Sequence, residues 1–279
     1  MQKQMIAVAV AAALAAPLTA FAQAAASPVS FNVGVVSDYL FRGISQTHGD
    51  PALQGGVDYA HPSGLYVGAW ASNVSWVKNW LGKGSTEIDV YGGYKGSFTG
   101  DLTYDIGLIS YNYPGHGNAS PGNLANPNTQ EVYAALSYKW LTAKYSHATS
   151  SHFVGWYGGP AYDKDTRGSG YLELNAAYDL GDGWGLSGHV GHQKVKNSVA
   201  VGAIGDASYS DWNIGVTKDV GFGVVGLAYS DTNTSGTCTS VGGTSPYCWG
   251  KGGTQTAAPT NSFRDVSQGT AVLSFKKTF

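Results

Sequence analysis

The sequence predicts an all-β fold: a transmembrane up-and-down antiparallel β-barrel of about twelve strands, preceded by a cleaved signal peptide. Three features point there. Apolar and polar side chains alternate with a two-residue period along most of the chain, short turns alternate with long polar loops, and the last residue, Phe279, closes an alternating segment. Composition agrees: of 279 residues 40 are Gly, 13% are aromatic and only 12% are charged, about half the usual charged share. So few charges suit a surface facing lipid. The formal charge of −2 leaves no broad basic surface for nucleic acid.

Residues 1–22 read as an export signal. Lys3 gives a positive start, Ile6 to Ala16 is an uninterrupted apolar run, Pro17 ends it, and Ala20-Phe21-Ala22 is a small-x-small cleavage site. Eleven apolar residues are too few to cross a bilayer. Residues 23–279 are then one barrel domain, and no later window approaches the length of a membrane-spanning helix.

Strands follow from the alternation. Ile88, Val90, Gly92 and Tyr94 oppose Glu87, Asp89, Tyr91 and Lys95; Leu102, Tyr104, Ile106 and Leu108 oppose Thr103, Asp105 and Gly107. Val132, Ala134, Leu136 and Tyr138 oppose Glu131, Tyr133, Ser137 and Lys139, and Leu172, Leu174, Ala176 and Tyr178 oppose Tyr171, Glu173 and Asn175. Twelve such segments are expected, near 31–42, 52–60, 65–76, 86–96, 101–112, 130–139, 142–149, 169–180, 184–194, 207–218, 222–231 and 265–279. Tight turns at 61–64, 96–100, 140–141, 181–183 and 219–221 alternate with long stretches at 43–51, 77–85, 113–129, 150–168, 195–206 and 232–264. All short turns therefore fall at one end, as in outer-membrane barrels.

Alternation alone does not say which face is inside. Strands of about ten residues match a tilted bilayer crossing. Tyr39, Phe41, Tyr94, Tyr104, Tyr138 and Tyr178 sit near the ends of apolar faces, where aromatic girdles belong. Phe279, Phe275, Leu273 and Ala271 share a face in a C-terminal strand of the kind that barrel-assembly machinery recognises, and Lys277 can snorkel to the interface. In hydrocarbon an open sheet edge is too costly, so the first strand must pair with the last. Cys238 and Cys248 lie close in sequence; in an exported chain they are expected to form a disulfide, stabilising their loop by about 2–3 kcal/mol.

The stretch Ser37-Asp38-Tyr39-Leu40-Phe41-Arg42-Gly43-Ile44-Ser45-Gln46 resembles the N-terminal signature of the TorF-type porin-like family of proteobacterial outer-membrane proteins. Residues 51–59, 64–74, 87–94 and the Phe275–Phe279 ending are similar to the same family, and most of the specificity lies in the first hundred residues. The resemblance implies an outer-membrane barrel and a pore, with no named solute.

With polar faces inward, the lumen is lined by Asp38, Arg42, Asp58, Glu87, Asp89, Lys95, Asp105, Glu131, Lys139, Lys144, Glu173, Asp211 and Lys276, eight carboxylates against five basic groups. Wall charge selects ions by sign, so a weak cation preference is expected if the lumen is open. The alternative is that these charges pair and fill it. Asp38 and Arg42 are expected on one face of strand 1, with Gln54 and Asp58 as candidate partners. Catalysis is not expected. Ser146 and His147 face opposite sides. Ser187 and His189 share a face, but no orienting acid or nucleophile elbow accompanies them. No cofactor or metal site is indicated. Trp76, Trp80, Phe153, Trp156, Tyr157 and Tyr162 would either stack on a ligand or pack loops over the mouth.

Three readings follow. The first is a passive channel for small hydrophilic solutes or ions in the outer membrane of a Gram-negative bacterium, its partners being lipid, solute and the assembly machinery. The second is a non-conducting barrel with a surface-interaction or structural role. The third is a secreted soluble all-β protein with its apolar faces inside.

Overall fold

The computed structural model describes residues 27–117, 125–156, 165–198, 206–239, 245–251 and 262–279. The expected signal segment 1–22 lies outside them, as do Tyr157 and Tyr162. Twelve long strands form the wall: β1 (Val29–Val36), β2 (Ala52–Ala60), β3 (Leu65–Asn73), β4 (Thr86–Thr99), β5 (Leu102–Asn112), β6 (Thr129–Tyr138), β7 (Leu141–Ala148), β8 (Gly170–Gly181), β9 (Trp184–Lys194), β10 (Tyr209–Asp219), β11 (Val224–Thr232) and β12 (Thr270–Thr278). Each pairs antiparallel with its sequence neighbours. β1 pairs with β12 from Asn32↔Thr278 to Val36↔Ser274, so the sheet closes without an edge. Phe31 and Phe279 exchange backbone hydrogen bonds and lock the seam.

Sidedness is the finding that matters most. Val33, Leu53, Val67, Val90, Ile106, Leu108, Val132, Leu136, Leu172, Leu174, Ile214, Leu227 and Leu273 are exposed on the outside, whereas Glu87, Asp89, Asp105, Glu131, Glu173, His189 and Asp211 are buried inside. A soluble barrel has the reverse arrangement, because its core must be apolar. The soluble reading, with apolar faces in a central core, is therefore corrected. Aromatics ring the short-turn end (Tyr94, Phe98, Tyr138, Trp140, Tyr178, Trp184, Phe222 and Phe279), and Tyr145, Trp212 and Tyr229 stand on the outer face toward the long loops. Neighbouring rings pair across strands, as Trp140 with Tyr178 at 6.3 Å and Trp212 with Tyr229 at 5.7 Å.

Two expectations about the girdle and first strand fail. β1 ends at Val36, so Asp38 and Arg42 share no strand face, and Tyr39 is 3% exposed inside the barrel rather than on its outer rim. Phe41 packs inward against Tyr111 at 5.5 Å. The chain leaves the wall after Ser37, which still bonds to Leu273 of β12, because Tyr39, Phe41 and Arg42 find their partners across the lumen. Lys139 is also displaced: β6 stops at Tyr138, and Lys139 turns with positive φ at the short connection, half exposed and 4.0 Å from Asp101. Among the described residues no helix is long and apolar enough to cross a membrane.

Candidate functional site

The first long connection carries a hairpin in which Leu40 pairs with Ser45 and Phe41 with Ile44, leaving Arg42-Gly43 as a two-residue turn. Both turn residues have positive φ, 49° and 79°, as a type I′ turn demands, and Gly43 adopts that region without strain. The base is tied by Asp38, whose Oδ1 accepts from Ser45 Oγ at 2.6 Å and Thr47 Oγ1 at 2.9 Å. Burial raises the Asp38 carboxyl above the usual carboxylate range, against the pull of those two hydroxyls.

This hairpin points into the barrel. Its tip carries Arg42 to the far wall, where Nη1 and Nη2 fork onto the two carboxylate oxygens of Glu131 on β6 at 3.0 and 2.8 Å, and Nη1 also donates to Gln193 Oε1 on β9 at 2.7 Å. Aromatic faces surround the guanidinium: Tyr171 at 4.3 Å, Phe41 at 4.8 Å and Phe153 at 5.7 Å. Arg42 is 4% exposed and Glu131 1%. The other side of the tip is equally close to the wall, since a Cβ on Gly43 would lie 2.9 Å from Asp211 Cβ on β10 and 2.8 Å from Thr232 Cγ2 on β11. Tyr39 completes the circuit by donating to Glu87 on β4 at 2.7 Å and packing on Trp70 of β3. The hairpin and the residues leading into it thus touch β3, β4, β5, β6, β8, β9, β10 and β11 across the lumen.

Above it the other loops build an aromatic cap. A short helix, α1 (Trp76–Leu81), ends on Gly82 and buries Trp76, Val77, Trp80 and Leu81. Trp249 from the last long loop stands 6.3 Å from both Trp76 and Trp80, and Trp156 and Tyr209 pack on Tyr247. The described loop aromatics therefore pack over the mouth. A cavity of about 30 Å³ remains among them, room for about one water. Cys238 and Cys248 are joined, tying the start of this last loop to the residue beside Trp249.

Toward the short-turn end lies a second polar layer. Asp58, Lys95, Lys144 and Lys276 are only partly buried. Tyr91 donates to Asp58 at 2.5 Å and Tyr66 to Asp105 at 2.6 Å, while Lys95 and Lys144 lie over the rings of Tyr66 and Tyr133 at 4.4 and 4.6 Å. Between the layers runs a polar chain. Asp211 Oδ1 accepts from Tyr171, its Oδ2 lies 3.0 Å from His189 Nε2, and His189 Nδ1 meets Asn175 at 2.6 Å. Asn175 donates to Glu173, which faces Lys144 at 3.8 Å.

Of the predicted lumen residues, Asp58, Glu87, Asp89, Lys95, Asp105, Glu131, Lys144, Glu173, Asp211 and Lys276 stand on inward faces of strands. Asp38 and Arg42 belong to the plug, and neither meets Gln54 or Asp58. Sequence reasoning does not single out Gln193, and it gives Tyr171 only a place on a polar face and Tyr39 one in the girdle. Gln193 and Tyr171 alternate in phase with the inward charges, which is the one signal that marked them. Ser187 Oγ turns to Gly215 O, apart from the bonded set around His189. Among the described residues no group of three or more His, Cys, Asp or Glu could hold a metal ion.

A closed barrel, apolar outside and charged inside, defines the outer-membrane porin class of fold. Residues 22–279 match a family described as "Bacterial protein of unknown function (Gcw_chp)", and the chain belongs to that family. Its fold is similar to the KdgM porin solved in complex with disordered oligogalacturonate, at TM-score 0.50 and 6% identity over 90% of this chain and 98% of that one. A second KdgM porin structure gives TM-score 0.49 at 7% identity over 90% and 98%. OprD of Pseudomonas aeruginosa gives 0.40 at 12% over 100% and 75%. No curated protein matches the sequence.

Proposed function

We propose that the chain is an exported outer-membrane barrel of the TorF type that lets small hydrophilic solutes or ions diffuse passively, without cofactor or catalytic step. The observation that carries this reading is the inverted sidedness: an apolar belt outside and charged rows inside suit acyl chains and a watery passage respectively. The family match beginning at residue 22 supports removal of residues 1–22 as a signal peptide. The exposed Phe279 at the end of β12 supports delivery to the barrel-assembly machinery. In the open state Glu87, Asp89, Glu131, Glu173 and Asp211 would form an acidic belt above Lys95, Lys144 and Lys276, which favours cations weakly.

Planar-bilayer recording of the refolded mature protein tests this: step-like currents with a cation-directed reversal potential in a salt gradient are expected from an Arg42→Ala variant, and the same steps at much lower open probability from the wild type. The hairpin reaching across the lumen favours one rival, a non-conducting barrel with a surface role. Silence from both the wild type and an Arg42→Ala variant would establish it instead.

A further inference from the structure

We propose that the Arg42 hairpin is a tethered plug, and that the cage holding Arg42 is a guanidinium-binding site whose occupancy by Arg42 keeps the barrel shut. The inference rests on the channel reading only for its current measurement; the binding measurement stands apart from it.

The cage has the parts a guanidinium receptor needs. Glu131 offers two oxygens to a fork, Gln193 a third acceptor, and Tyr171 and Phe153 two ring faces from outside the hairpin. Wall residues support it independently of the hairpin: Tyr111 lies within 3.3 Å of Glu131 Oε2, and Gln193 Nε2 is held by Gly170 O at 3.1 Å, which turns its carbonyl oxygen toward Arg42. Glu131, Gln193, Tyr171 and Tyr111 all belong to the wall, so the site outlasts the hairpin's departure. Arg42 therefore behaves as a ligand supplied by the chain itself. A solute carrying a guanidinium group is the chemical class that would compete for the same atoms. Without Arg42 in place, Glu131 would be a buried carboxylate lacking its counter-charge, so the empty cage favours either reinsertion or capture of such a solute.

The experiment uses the full mature chain refolded in lipid, with Ile44→Cys as the only free thiol, since the two native cysteines are joined. Ile44 is 4% exposed when the hairpin is docked. A water-soluble maleimide should label it slowly in the wild-type background and at least tenfold faster with Arg42→Ala or Glu131→Gln; heat-modified gel mobility checks that each variant is folded. Methylguanidinium should speed labelling of the wild type, by displacing Arg42, and slow it in Arg42→Ala, by refilling the cage. It should do nothing in the Arg42→Ala/Glu131→Gln double variant. Equal labelling rates in all backgrounds, or indifference to methylguanidinium throughout, would overturn the proposal. Currents recorded from the same proteins separate the two claims: faster labelling with no current in any variant upholds the plug and refutes the channel.

Discussion

Arg42 Nη2 lies 2.8 Å from Glu131 Oε2 although 89 residues separate them, one in the first long connection and the other on the facing wall. Removing one partner of so buried a pair strands the other charge, which costs about 3–5 kcal/mol. Glu131→Gln should therefore lower the urea midpoint of the refolded barrel, and Arg42→Met/Glu131→Met should restore most of the loss. A double variant as unstable as Glu131→Gln would show that the pair contributes more than mutual neutralisation.

Gly93 faces Tyr66 across β3 and β4, and a Cβ there would stand 2.5 Å from Tyr66 Oη and 2.4 Å from Ile106 O. The small residue lets the phenol lie flat on the wall and reach Asp105. Gly93→Ala should push Tyr66 off Asp105 and cost about 1–3 kcal/mol, as overpacking does. An unchanged urea midpoint would contradict that arrangement.

Leu108 sits mid-strand on β5 and is 58% exposed on the outer face. Leu108→Arg should destabilise the barrel by about 2–4 kcal/mol in lipid, read as loss of the heat-modified band at lower urea. Tolerance of Arg at this position would place Leu108 away from hydrocarbon.

Reduction of the Cys238–Cys248 bond should loosen the last long loop by about 2–3 kcal/mol. Trypsin should then cut after Lys251 or Arg264 faster, while the twelve strands stay protected. Cleavage rates unaffected by reductant would mean that the aromatic contacts of Trp249 alone hold the loop.

Much of this architecture is legible in the sequence, and its failures have physical causes. The expected strands 52–60 and 184–194 coincide with β2 and β9; alternation marks the first, and the Gly181-Asp182-Gly183 turn fixes the start of the second although its alternation is less clean. Alternation carries the first strand to residue 42, six residues beyond the end of β1. Tyr39 and Phe41 lie two residues apart on one face of an extended reading, flanked by Asp38 and Arg42, and an aromatic rim and an aromatic plug ask for the same residue types. Arg42-Gly43 is a weak hairpin signal beside Asn-Gly or Asp-Gly, so the turn was hidden. Alternation puts Lys139 on the wall because it continues through Tyr138-Lys139 after pairing has stopped. Arg42's partners, 89 and 151 residues away, are fixed only by barrel closure and register.

The central claim is the direction in which the alternating faces point, and nitroxide scanning of residues 132–138 on β6 in lipid tests it most directly. Val132, Ala134, Leu136 and Tyr138 should collide readily with oxygen dissolved in the acyl chains, and Tyr133, Ala135 and Ser137 should not, giving a period of two. The opposite phase, with oxygen reaching the odd-numbered set, would contradict the account.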